Sequence, residues 1–183
     1  MPILGIMASA MSANLWQPQG AYDALSTVTV PSGGAASITF AGIPTGYKHL
    51  QIRALYLNTG SYSNIEMQFN GDTTTNYSWH EVYGDGSGVG ATAYVSVAQI
   101  RPILGAVGTT NQAVGIIDIL DYANISKFKT TRSLSGADTN GGTNYILLRS
   151  GNWRNTNAIT SISFTPQSGL IGQYSQFTLY GVR

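Results

Sequence analysis

The chain contains no cysteine, only two histidines, and few charges of either sign. Without cysteine there is no disulfide framework and no thiolate metal site. With so few histidines and no clustered carboxylates, a zinc or iron centre has little to be built from. Asp, Glu, Lys and Arg make up 9% of the residues, against about 25% in an average soluble domain. The formal net charge is +1, which argues against a protein that holds nucleic acid through its phosphates. A membrane-spanning helix needs about 20 apolar residues. The most apolar stretch, at the N-terminus, is cut short by Asn14, Gln17 and Gln19.

Hydrophobic residues are ordinary in number, at 43% of 183. A chain this long can bury about 70% of its unfolded surface in a single core, so one domain is expected. Its exterior must then be made of Ser, Thr, Asn, Gln, Gly and Tyr. An uncharged polar exterior suits a protein packed against copies or partners, and near-zero net charge favours self-association of a free subunit.

Period-two patterning dominates. In His49–Asp72, Leu50, Ile52, Ala54 and Tyr56 share one parity, and Ile65, Met67 and Phe69 alternate with polar residues. With turn residues between the runs and Asn70-Gly71-Asp72 after them, the stretch predicts a central hairpin. Further strands are expected at Ala24–Val30, Ser37–Phe40, Tyr77–Tyr83, Thr92–Ile100, Tyr145–Leu148, Ala158–Thr165 and Phe177–Val182. Ala113–Leu120 is nearly all apolar and predicts a strand buried on both faces. In Lys127–Ser135 the alternating set is Phe128, Thr130, Arg132 and Leu134. Gly84–Gly90, Pro102–Asn111 and Ser150–Asn157 read as loops, and a turn of helix is possible at Asp121–Ser126. About ten short strands at regular spacing indicate an all-β fold, an antiparallel β-sandwich or jelly roll. The expected core is Ile38, Phe40, Ile52, Met67, Phe69, Ile117, Ile119, Leu134, Ile162, Phe164, Phe177 and Leu179.

Residues 1–21 read as an extended N-terminal docking arm and hinge, and 22–183 as the β-sandwich. Met1–Asn14 is apolar, rich in small residues and free of charged side chains. A signal peptide would need a basic first region, and the first Lys is Lys48. Ile3, Leu4, Ile6, Met7, Met11, Leu15 and Trp16 are expected to dock, either on the chain's own β-domain or on another subunit. Trp16–Gly20, with Pro18, is the hinge.

No residue set declares a reaction. Neighbours on a strand point to opposite faces, so His80 and Glu81 do not share a site. Asp118 and Asp121 likewise make no acid pair for glycoside cleavage. A calcium site from loop Asp and Asn oxygens is conceivable but has no ligand pattern. Gly84, Gly86, Gly88 and Gly90 precede no helix, so no phosphate loop is expected. Tyr62, Tyr77, Trp79, Tyr83, Tyr122, Trp153 and Tyr174 fall in or beside loops. Such aromatics anchor interfaces or, with amide and carboxylate neighbours, hold sugars. Candidate glycan or partner contacts are Tyr62, Tyr83, Asp85, Trp153 and Asn155.

Six phrases carry a resemblance: PILGIMASAMSANL, ITFAGIPTGYKHLQIRAL, FNGDTTTNYSWHEVYGDG, IIDILDYANISKFKTTRSLSG, LRSGNWRNTNAITSISFTP and QYSQFTLYGVR. Together they resemble virion structural proteins of tailed bacteriophages, including cyanophages. The resemblance covers nearly the whole chain. It implies a decoration or fibre component located on the virion, not an enzyme, and it carries over no catalytic residue. The implied function is a capsid decoration (cement) protein anchored through its N-terminal arm. The alternative is a tail or head fibre whose β-domain binds host surface polysaccharide. Expected partners are other phage virion proteins of capsid or tail, further copies in a homo-oligomer such as a trimer, and a host glycan. No cofactor, metal, nucleic acid or membrane is expected.

Overall fold

The computed structural model describes residues 20–60, 63–107, 112–139 and 144–183. They form twelve strands: β1 (Tyr22–Thr29), β2 (Ile38–Ala41), β3 (His49–Asn58), β4 (Ser63–Phe69), β5 (Tyr77–Gly84), β6 (Val89–Val97), β7 (Ile100–Val107), β8 (Ala113–Leu120), β9 (Lys129–Ala137), β10 (Tyr145–Trp153), β11 (Ser161–Pro166) and β12 (Gln176–Val182). Eight make one antiparallel sheet in the order β1-β12-β3-β8-β9-β10-β5-β6; four make the other, β2-β11-β4-β7. The two meet at a short parallel seam where Leu57 and Asn58 of β3 run beside Ala106 and Val107 of β7. The fold is an all-β sandwich. The expected arm lies outside the described residues.

Alternation explains the sandwich. Ile52, Ile117 and Phe177 from the large sheet and Ile65, Met67 and Phe164 from the small one are fully buried between the layers. Phe164 meets Phe177 across the gap at 5.2 Å between ring centroids, and Phe69 meets Trp153 at 5.5 Å. Of the expected core, only Leu134 is exposed.

Four expectations need correction. The expected hairpin does not exist: β3 pairs with β12 and β8, and β4 pairs with β11 and β7. The chain crosses between sheets around buried Asn58. Its amide nitrogen donates to the Tyr56 and Ser63 hydroxyls and to the Ser168 carbonyl. Alternation looks the same whether two strands pair or face each other. Asn70 and Gly71 do make a tight turn, both with positive φ, closed by Asp72 N–H donating to Phe69 C=O. That turn also joins the two sheets.

Second, Pro102 lies inside β7, not in a loop. The β4–β7 ladder shifts register between Ile65 and Met67, which pair with Ile103 and Ile100. Pro102 falls in that irregularity, where no ladder donor is required. Third, β8 is not buried on both faces: Val114, Ile116 and Leu120 are exposed. Fourth, β9 has the opposite parity from that expected. Lys129, Thr131, Ser133 and Ser135 point inward and are buried, and Leu134 points out, 50% exposed. The cause is β7, which lies close over β8, β9 and β10. A Cβ on Gly115 would stand 2.5 Å from Ile103, and one on Gly151 2.5 Å from the Thr131 hydroxyl and 2.9 Å from Ile100. Ser133 donates its hydroxyl to the Pro102 carbonyl at 2.8 Å. At Gly115, Ser133 and Gly151 only small side chains fit beneath β7. In addition, β10 extends to Trp153, and Asp121–Ser126 forms turns and bends, not helix.

Candidate interaction face

The outer face of the eight-stranded sheet is built from the side chains that the core leaves over. Residues directly opposite each other on neighbouring strands share a face, so the register converts into rows running across the strands. One row is Arg53, Ile116, Leu134, Leu148 and Val82, on β3, β8, β9, β10 and β5. The next row towards one end is Leu55, Val114, Gly136 and Ile146. On the other side runs a polar row: Gln51, Asp118, Arg132, Ser150 and His80.

The two apolar rows therefore form a band crossing the sheet at right angles to its strands. Its members are well exposed: Ile116 43%, Leu148 48%, Val114 52% and Ile146 62%. Gly136 interrupts the second row, and a hollow of about 450 Å³ lies over this part of the sheet. Leu55, Ile116, Leu134 and Tyr180 are among the residues lining it.

The polar row is tied together from within. Gln51 donates to Asp118 at 2.8 Å, and Arg132 donates to the other Asp118 oxygen at 2.9 Å. Arg53 donates to the Gln51 carbonyl oxygen at 3.0 Å, and its guanidinium lies over the rings of Tyr22 and Tyr180. The charges bordering the band are thus already engaged.

The residues expected to contact glycan or partner are not brought together. Tyr83 is half-buried, with its ring tilted against Tyr145 at 6.1 Å. Asp85 accepts the backbone N–H groups of Ser87 and Gly88 in a turn, which holds its carboxyl below the usual range. Asn155 accepts from Asn157 N–H. Trp153 is 1% exposed, so its ring is no platform for a sugar; this corrects its reading as a loop residue. Tyr77, Trp79 and Tyr122 are buried as well. Tyr83 pairs opposite Leu147 and Trp153 opposite Tyr77, so the two aromatics sit at opposite ends of the β5–β10 ladder. Tyr62 and the arm residues Ile3, Leu4, Ile6, Met7, Met11, Leu15 and Trp16 lie outside the described residues.

Most of the charged groups that face inward or border the loops have structural partners. His80 points outward and Glu81 inward, as strand parity demands. Arg149, 4% exposed, donates to Glu81 at 2.6 Å and to the Arg101 carbonyl at 2.8 Å, and its guanidinium lies over the Trp79 ring. Arg101 in turn pairs with Glu66 of the small sheet at 3.1 Å. Asp118 and Asp121 serve different partners: Arg132 for the first, Lys127 and His49 for the second. Burial works against ionisation of Asp72. Hydrogen bonds from the Thr74 hydroxyl, the Trp153 indole, the Thr74 backbone and the Asn76 amide outweigh it and hold the carboxyl at about 2. Among the described residues, no group of three or more His, Asp or Glu is placed to hold a metal ion.

Sequence reasoning missed the band. One signal was present: β8 is apolar at both parities apart from Asp118, while one parity of β9 is Lys129, Thr131, Ser133, Ser135 and Ala137. Assigning the small polar set of β9 to the inside would have turned Leu134 and its neighbours outward.

No protein-family model matches the chain, and no curated protein matches it. Among solved structures it is similar to galectin LEC-6 of Caenorhabditis elegans. That alignment has 7% identity, covers 86% of this chain and 95% of the other, and has a TM-score of 0.33. So distant a likeness says nothing about what the face holds.

Proposed function

We propose that the protein is a non-enzymatic structural component of a tailed-phage virion, a capsid decoration protein that works packed against copies and against other virion proteins. The observation that carries this reading is the neutral apolar band on the outer face of the large sheet. Single exposed aliphatics need no explanation, but a contiguous patch on a rigid face marks a surface covered in the working state. The phrases resembling phage virion proteins supply the setting, with a homotrimer as the expected assembly. The sparse surface charge fits a subunit that is seldom alone in water.

A second reading, a tail or head fibre that binds host polysaccharide, is favoured by one feature. A hollow of about 500 Å³ beside Tyr145 is lined by Gln112, Asp138 and Asn144 among others. Aromatic, amide and carboxylate groups together are the chemistry that holds sugars.

The test is quantitative mass spectrometry of purified virions of the encoding phage. A copy number matching the shell lattice supports decoration, and one matching the symmetry of a tail or fibre supports the second reading. Absence from the particle overturns both. Purified protein incubated with host polysaccharide or peptidoglycan should release no product. Turnover that is abolished by changing one Asp or Glu would show an enzyme instead.

A further inference from the structure

The band raises the question of what covers it. We propose that it is the seat of the chain's own N-terminal arm, Ile3–Leu15. The inference rests on the reading above that this face is covered in the assembled protein, and it names the occupant.

Charge supports the choice. Residues 1–20 contain no charged side chain, and neither does the band between Ile116 and Val82 or between Leu55 and Ile146. Arg53, at the margin, is held by Gln51 and two tyrosine rings. A charged partner would have to desolvate its charges against aliphatic groups with nothing to pair them. The arm carries Ile3, Leu4, Ile6, Met7, Met11 and Leu15 with only small or uncharged residues between them.

Position supports it too. The described chain begins at Gly20, and β1 starts at Tyr22 on the edge of the same sheet. The Tyr22 ring stands edge-on to Tyr180 at 6.4 Å, and Tyr180 lines the hollow around Gly136. Tyr22 itself pairs with Val182, and Val182 with His49, so the chain enters β1 just beyond the polar row. The arm must turn back over that row, where the Tyr22 ring already meets Arg53, to reach the band. Reach is sufficient. The seven residues from Leu15 to Tyr22 span up to about 24 Å when extended. The four strand steps from β1 to β9 amount to about 19 Å, and the four residues along β3 from the His49 row to the Arg53 row add about 13 Å in the perpendicular direction, about 23 Å in all.

The absence of cysteine makes the test clean. Full-length protein carrying Ile6→Cys or Met11→Cys in the arm is combined with Leu134→Cys in the band, then oxidised. The reference pairs the same arm positions with Thr165→Cys, which is exposed on β11 of the small sheet. Leu134 is half exposed, so its replacement leaves the core intact. Disulfide yield with Leu134→Cys is expected to exceed that with Thr165→Cys several-fold. Deletion of residues 2–15 should raise the fluorescence of a dye that binds apolar surface several-fold, and Leu134→Glu with Leu148→Glu should suppress that rise.

Equal disulfide yields at the two positions, or unchanged dye binding after deletion, overturn the inference. So does rapid dimerisation through Leu134→Cys alone, which would put the face of a second copy on the band. A disulfide formed between chains would seat a neighbouring copy's arm on the band and overturns the own-chain seat. One within a chain supports the seat and removes the arm as a link between copies. Failure of every arm pairing while the virion copy number holds leaves the structural role standing and rejects only this occupant.

Discussion

Arg149 is a charged side chain in the interior, and its surroundings say what removing it would do. Its guanidinium satisfies Glu81 and the Arg101 carbonyl and lies over Trp79. Arg149→Met keeps most of the volume but leaves the Glu81 carboxylate without its partner. Breaking one side of a buried pair costs on the order of 3 kcal/mol. Urea unfolding should show that loss in the midpoint at unchanged slope, and a midpoint equal to the parent's would mean that the pair contributes nothing net. Asp72 gives a pH-dependent counterpart. Its folded pKa of about 2 lies below the ordinary 3.8. Its contribution is therefore fully present above pH ~4 and is lost as pH falls through about 2. Asp72→Asn should flatten the fall in melting temperature across that window, and an unchanged slope would show that other carboxylates govern it.

At the scale of the element, β7 determines what its neighbours can be. Gly151 and Gly115 lie beneath Ile100 and Ile103 with no room for a Cβ. Gly151→Ala should destabilise the fold by about 1–3 kcal/mol, the usual range for overpacking. Gly136→Ala, whose added Cβ would meet only the Tyr145 carbonyl at 3.4 Å, should be much milder. Thermal melts of the two variants side by side decide it; equal losses would mean that β7 does not press on β10. This element also explains what could be read from the sequence. Strands whose inward positions are large and aliphatic, such as β3, β4, β11 and β12, were legible from alternation alone. β9 was not, because crowding under β7 makes its inner face small and polar, and because Lys129 is buried with its ammonium donating to the Asn124, Lys127 and Thr156 carbonyls. Patterning finds a strand by the contrast between its faces, but when the polar face is the covered one it assigns the faces the wrong way round. Misassigned faces also hid part of the candidate site: Leu134 belongs to the expected core, and Val114 and Ile116 to the strand expected to be buried on both faces, whereas all three face outward.

At the scale of the molecule, the sandwich is held by pairings between distant parts of the sequence. β12 lies between β1 and β3, and Arg183 pairs with Asp23 at 2.6 Å beside Tyr47. Removing residues 176–183 would strip both β1 and one side of β3 of their partner and expose the face that Phe177 and Leu179 cover. The truncated chain should lack cooperative unfolding; a sharp thermal transition from it would show that the other strands close without β12. The position of β12 also bears on how the protein is made. A ribosome that has delivered everything up to Ser175 holds a chain with a gap in its larger sheet, its first strand unpaired and β3 flanked on one side only. The sheet closes when β12 slots between two strands that emerged much earlier. Until β12 has left the exit tunnel, the nascent chain therefore presents two open strand edges to any chaperone or neighbouring nascent copy.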